Sequence, residues 1–92
     1  MNYDAPNSYQ EYHVEEHQLV LYVIKGCPYC DKVLKYLTSV DVKVLTKDIR
    51  QDKEALKDLL EIGGKKQVPC LSIDGKALYE SDDIILWFKK NL

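Results

Sequence analysis

From residue 19 the chain runs LVLYVI, a continuous apolar stretch with β-branched members. Its length and composition suit a strand buried on both faces, the central strand of a sheet. Upstream, residues 1–18 are polar with scattered tyrosines and no sustained period, which predicts an arm that is disordered or loosely docked. After Gly26 comes CPYCDKVLKYLTSV, where Val33, Leu34 and Leu37 mark one helical face and Asp31, Lys32 and Lys35 the other. Pro28 suits the first helical turn, where a missing N–H costs nothing. VKVL, residues 42–45, predicts a second short strand. A second helix follows from about Asp52, with Leu56, Leu59 and Leu60 expected inward and Gly63-Gly64 as its stop.

The pattern then changes. PCLSI, the turn Asp74-Gly75 and KALY predict a β-hairpin, because Asp-Gly is a strong hairpin signal. SDDIILWFKKNL predicts a closing helix with Ser81 as N-cap, Asp82 and Asp83 in the first turn, and Lys89 and Lys90 in the last, all matched to the helix dipole. Ile84, Ile85, Trp87 and Phe88 supply its apolar surface. The order βαβαββα implies a parallel βαβ unit followed by an antiparallel pair and a covering helix. The expected fold is therefore α/β, a four-stranded mixed sheet with helices on both faces, spanning residues 19–92.

The chain's 92 residues allow one modest core, and 46% hydrophobic with 30% charged residues is the composition of an ordinary globular domain. No apolar run reaches the roughly 18 residues of a membrane span, so no membrane association is expected. The first residues lack the basic and apolar regions of a secretory signal, which points to a cytoplasmic protein. Three cysteines, an odd number, also fit a reducing compartment better than a disulfide-stapled secreted domain. The net charge of −2 conceals an acidic arm (Asp4, Glu11, Glu15, Glu16) ahead of a mildly basic body. That bias is too small for a nucleic-acid footprint.

The chemistry concentrates at Cys27 and Cys30. Cys27 follows a buried strand and precedes a helix, where exposed N–H groups and the positive dipole end stabilise a thiolate; such sites bring cysteine pKa to roughly 3.5–7.5. A lowered pKa makes Cys27 a nucleophile at neutral pH and a good leaving group. Cys30, one turn further in, is within disulfide reach. Structural zinc needs two such pairs or a pair plus histidines, and the two histidines, His13 and His17, lie in the arm, so no metal is expected. HVEEH, residues 13–17, fits the H-x-x-E-H metalloprotease pattern, yet without a third ligand or a large scaffold it reads as solvated arm. A structural disulfide across so short a loop removes little unfolded-chain entropy. Redox catalysis is the reading that fits. Cys70, at the start of a buried strand, reads as an inert small hydrophobe.

Cys27-Pro28-Tyr29-Cys30 resembles the active-site signature of dithiol glutaredoxins in the thioredoxin superfamily. The element order from residue 19 onward is similar to that fold, and QVPCLSIDG resembles the family's segment around a cis-proline. The resemblance implies glutathione as reductant, with NADPH acting indirectly through glutathione reductase. It also implies glutathionylated or disulfide-containing proteins as substrates, and a monomer. The implied glutathione-binding residues are Lys25, Tyr29, Lys66, Gln67, Val68, Pro69, Ser81 and Asp82, with Cys27 the nucleophile and Cys30 the resolving thiol. In this comparison the Val68 backbone pairs with the cysteine of glutathione, Lys25 and Lys66 meet its glycine carboxylate, and its γ-glutamyl end sits at the last helix. There is one departure: where glutaredoxins carry a Gly-Gly pair, this chain has Leu78-Tyr79-Glu80, and LYES resembles the glutathione-gripping turn of glutathione transferases. Either Glu80 or Asp82 then meets the ligand's ammonium.

Two alternatives stand beside this reading. One is a redoxin served by thioredoxin reductase, which the glutathione-like residues Ser81 and Asp82 argue against. The other is an iron–sulfur module bridging two subunits through Cys27 and glutathione, which Pro28-Tyr29-Cys30 disfavours. Removing residues 1–17 is expected to leave reduction of a glutathionylated peptide nearly unchanged, since no catalytic group is expected there; a large fall in rate would show that the arm contributes.

Overall fold

The computed structural model describes residues 17–92. The arm expected over residues 1–18 therefore lies mostly outside the described residues, as does His13. Seven elements follow in the expected order: β1 (Leu19–Val23), α1 (Pro28–Ser39), β2 (Leu45–Asp48), α2 (Lys53–Gly63), β3 (Cys70–Ile73), β4 (Lys76–Tyr79) and α3 (Ser81–Asn91). The sheet order is β2-β1-β3-β4, with β1 parallel to β2 and antiparallel to β3, and β3 antiparallel to β4.

Successive side chains of β1 point to opposite faces of the sheet, and Leu21, Tyr22 and Val23 are all buried. Leu21 and Val23 join Leu71, Val33, Leu37, Ile84 and Phe88 in the core beneath α1 and α3. Tyr22 points the other way, to Ala55 and Leu59 of α2 and to Cys70 of β3. Side chains such as Leu21, Leu59, Leu71 and Phe88 are fully buried, and each stabilises the fold by roughly 1.5–3 kcal/mol relative to exposure. The helices thus cover both faces of the mixed sheet, as the βαβαββα order predicts.

Three local expectations need correction. The second strand is not residues 42–45 but Leu45–Asp48. α1 ends at Ser39, the Val42 N–H bonds back to Leu37 O at 3.0 Å, and Val42 and Val44 pack onto the core from the connection. Because β2 is an edge strand, its pairing segment LTKD can be polar. Leu60 is not inward either: α2 buries Ala55 and Leu59, half-buries Leu56, and leaves Leu60 44% exposed. Finally, the N-cap of α3 is Glu80, and Ser81 is the first helical residue, buried rather than capping.

Other signals hold. Asp52 caps α2 by accepting from the N–H groups of Glu54 and Ala55, and Gly64 closes it in the left-handed conformation. Asp74 and Gly75 both have positive φ, the geometry of a two-residue hairpin turn. The chain enters the domain slightly earlier than expected. His17 Nδ1 lies 2.7 Å from Asp74 Oδ2, its ring meets Trp87 edge-on at 5.4 Å, and Gln18 O accepts from the Asp74 N–H. Trp87 is a half-buried packing residue between His17 and Phe88. No helix among the described residues is long and apolar enough to cross a membrane.

At Gly63 the end of α2 lies close to the hairpin: an added methyl would lie 1.9 Å from the Tyr79 hydroxyl and 2.8 Å from its ring. Tyr79 is held in place by donating to Lys65 O at 3.2 Å. Gly63→Ala is expected to lower stability by about 1–3 kcal/mol in urea unfolding, the usual cost of overpacking. An unchanged midpoint would mean that Tyr79 moves aside freely.

Candidate active site

β1 ends against the turn Ile24-Lys25-Gly26, where Gly26 takes φ 90°. The Cys27 N–H bonds to Ile24 O at 3.1 Å, and Cys27 O accepts the first helical bond from Asp31 N–H at 2.9 Å. Cys27 is thus the N-cap of α1, with extended backbone and Pro28 behind it. Its side chain closes no formal cap bond. Instead the Cys30 N–H, the Cys30 thiol and the Tyr29 N–H face its sulfur, and these donors hold the Cys27 pKa below the ordinary value against partial burial and the Asp31 charge.

Cys30 shows the opposite behaviour. It is fully buried, and burial, helped by the neighbouring Cys27 sulfur and Asp31, pushes its thiol up to about 12. Of the two thiols Cys27 is the more acidic. Cys70 is also fully buried beside Tyr79, and burial pushes it up to about 11. All three cysteines are free thiols, Cys27 alone among them reaching the surface.

A groove of about 360 Å³ runs between α1, the loop before β3 and the start of α3; Cys27 is not one of its lining residues, whereas Tyr29, two residues further on, is. Tyr29, 65% exposed, forms one wall with Lys32. Gln67, Val68 and Pro69 form the floor, and Glu80, Ser81 and Asp82 the far end. The Val68-Pro69 bond is cis, as expected from the resemblance. Six of the eight sequence-predicted binding residues meet here. Lys25 and Lys66 do not line the groove: the Lys25 N–H is tied to Asp48 at 2.9 Å on edge strand β2, and Lys66 stands exposed in the loop after α2.

The groove adds two residues that sequence reasoning underused. Lys32, assigned only to the polar helix face, is ion-paired with Asp82 and is the one cation lining the groove among the described residues. Its spacing of five from Cys27 was the available signal. Glu80 accepts from Gln67 Nε2 at 3.2 Å and takes φ 74°. That conformation favours glycine and costs a side-chain residue about 1–3 kcal/mol. The Gly-Gly pair expected from the resemblance would avoid this cost at the same corner. Among the described residues no three His, Cys, Asp or Glu side chains gather as a metal-holding group.

The mixed sheet, the flanking helices and a cysteine capping the first of them define a thioredoxin-like protein. A model of the glutaredoxin family matches residues 19–78. Glutaredoxin-C4 of Arabidopsis thaliana is 33% identical over 75 residues, covering 78% of this chain and 56% of that protein. Glutaredoxin-C8 of Oryza sativa subsp. japonica is 29% identical over 86 residues, with 88% of this chain and 63% of that protein covered. The chain thus spans less than two thirds of the length of these curated relatives. The crystal structure of glutathione transferase Omega 3C from Trametes versicolor superposes with a TM-score of 0.68 at 33% identity, over 84% of this chain and 36% of that one. The chain belongs to the glutaredoxin family.

Thiolate character decides reactivity toward alkylating agents. At pH 7 iodoacetamide is expected to label Cys27 in the reduced native protein and to spare Cys30 and Cys70. The Cys27 rate should fall as pH drops through a midpoint below the ordinary thiol value of 9.0, where the thiolate gains its proton. Peptide mapping showing equal labelling of Cys27 and Cys30 would contradict this assignment.

Proposed function

We propose that this chain is a glutathione-dependent thiol–disulfide oxidoreductase of the dithiol type, with Cys27 as nucleophile and Cys30 as resolving thiol. The observation that carries the reading is the division of labour within the pair: a half-buried helix-capping thiol with lowered pKa, one turn from a buried thiol at about 12. Support for glutathione comes from the groove beside Tyr29, whose volume of about 360 Å³ falls in the range of small-ligand sites and whose lining combines charged and polar side chains with Val68 and Pro69. Glutathione is an extended tripeptide with charged ends and a central thiol. Its cysteine backbone pairs with Val68, and its γ-glutamyl end lies against Ser81 and Asp82. The matched glutathione transferase carries the same ligand class in its name.

In the monothiol route the Cys27 thiolate attacks the glutathione sulfur of a protein mixed disulfide. The Cys27–glutathione disulfide forms, the sulfur–sulfur bond between glutathione and the protein breaks, and the protein leaves as a thiolate that takes a proton. Reduction by a second glutathione frees Cys27 and yields glutathione disulfide. In the dithiol route Cys27 attacks a protein disulfide, and Cys30 then displaces the bound protein thiol to form Cys27–Cys30. Cys30 must first lose its proton. Bonding of the Cys27 sulfur removes the negative charge that helps raise the Cys30 pKa, so the resolving step becomes easier only after attack has occurred.

The test is reduction of a glutathionylated peptide and, separately, of a protein disulfide, coupled to NADPH through glutathione and glutathione reductase. Cys27→Ser should abolish both activities. Cys30→Ser should keep the first and lose the second. Turnover persisting in Cys27→Ser, or absent from wild type with both substrates, would remove the reading.

A further inference from the structure

Three charged side chains line the groove among the described residues: Lys32, Glu80 and Asp82. Each carboxylate already has a partner. Glu80 accepts from Gln67, whereas Asp82 is ion-paired with Lys32 from the opposite wall. A protein ammonium thus occupies the carboxylate that a ligand's ammonium would need. The two side chains are 51% and 80% exposed, so the pair is solvent-screened, and opening it strands no buried charge. Such a contact can be exchanged at little cost.

The consequence depends on what enters. A ligand end bearing only an ammonium takes Asp82 and leaves Lys32 without a partner. One bearing only a carboxylate must draw Lys32 away and leaves Asp82 alone. An end bearing both exchanges one ion pair for two, with every charge matched.

We propose that Lys32 is a specificity-determining residue that trades partners on binding: Asp82 passes from Lys32 to the ligand's ammonium, while Lys32 passes to the adjacent carboxylate. The groove thereby selects a zwitterionic α-amino-acid end, and Asp82 rather than Glu80 meets the ammonium. This inference rests on the glutathione reading of the groove.

Single-turnover release of a fluorescent peptide thiol tests it, using the full chain and three mixed disulfides. One carries glutathione, the second an analogue lacking the γ-glutamyl α-carboxylate, and the third an analogue lacking the α-amino group. Wild type should favour glutathione over both. Lys32→Gln should slow the glutathione substrate by about two- to fivefold, the size of an exposed ion pair. The same variant should hold or raise the rate on the analogue without the α-carboxylate, because Asp82 is then free. Lys32→Arg should restore the wild-type order. Equal slowing of all three substrates by Lys32→Gln, as a purely structural role would give, or no change in any, would overturn the proposal. Absence of release by wild type from every substrate would instead remove the glutathione reading, and this inference with it.

Discussion

Burial of β1 on both faces is the constraint on which the other features depend. Leu21 and Val23 are held under α1 and α3 while Tyr22 is held over α2, so the strand can neither slide nor turn over without exposing one of two cores. Its pairing with β2 on one side and β3 on the other fixes its axis. The chain then has a single short turn in which to reverse into α1, and Cys27 falls at that corner. The position of the Cys27 sulfur is therefore set by packing several residues away.

The same corner separates the two thiols chemically. A helix start leaves N–H groups without intrahelical acceptors, and the sulfur of the capping residue is where they converge. One turn further along, the helix has reached the core and Cys30 is enclosed by it. Two identical side chains three positions apart thus acquire opposite pKa displacements, Cys27 lowered by the donors at the helix start and Cys30 raised by burial in the core.

The groove is assembled differently, from three segments distant in sequence. Pro69 and Cys70 join the loop to β3, Glu80 turns the end of β4 into α3, and α1 supplies Tyr29 and Lys32. Both its carboxylates have partners within the protein, Glu80 accepting from Gln67 and Asp82 ion-paired with Lys32. Recognition at such a site becomes an exchange of partners rather than the filling of vacant charges, which favours ligands that can answer both signs at once.

By itself the sequence determined the element order, the hairpin turn, where α1 and α2 begin, and the cysteine pair, because each rests on local chemistry: a two-residue period, positive φ at Asp74-Gly75, or donors left open at a helix start. Resemblance supplied the cis-proline and most of the groove. Only the tertiary structure decided the edge position of β2, which let Val42 and Val44 serve as packing in a connection while polar residues paired. It alone made Glu80 the cap of α3, kept Lys25 and Lys66 out of the groove, and brought Lys32 into it. Those outcomes depend on which segments lie across from one another in space, and no period or spacing along the chain carries that information.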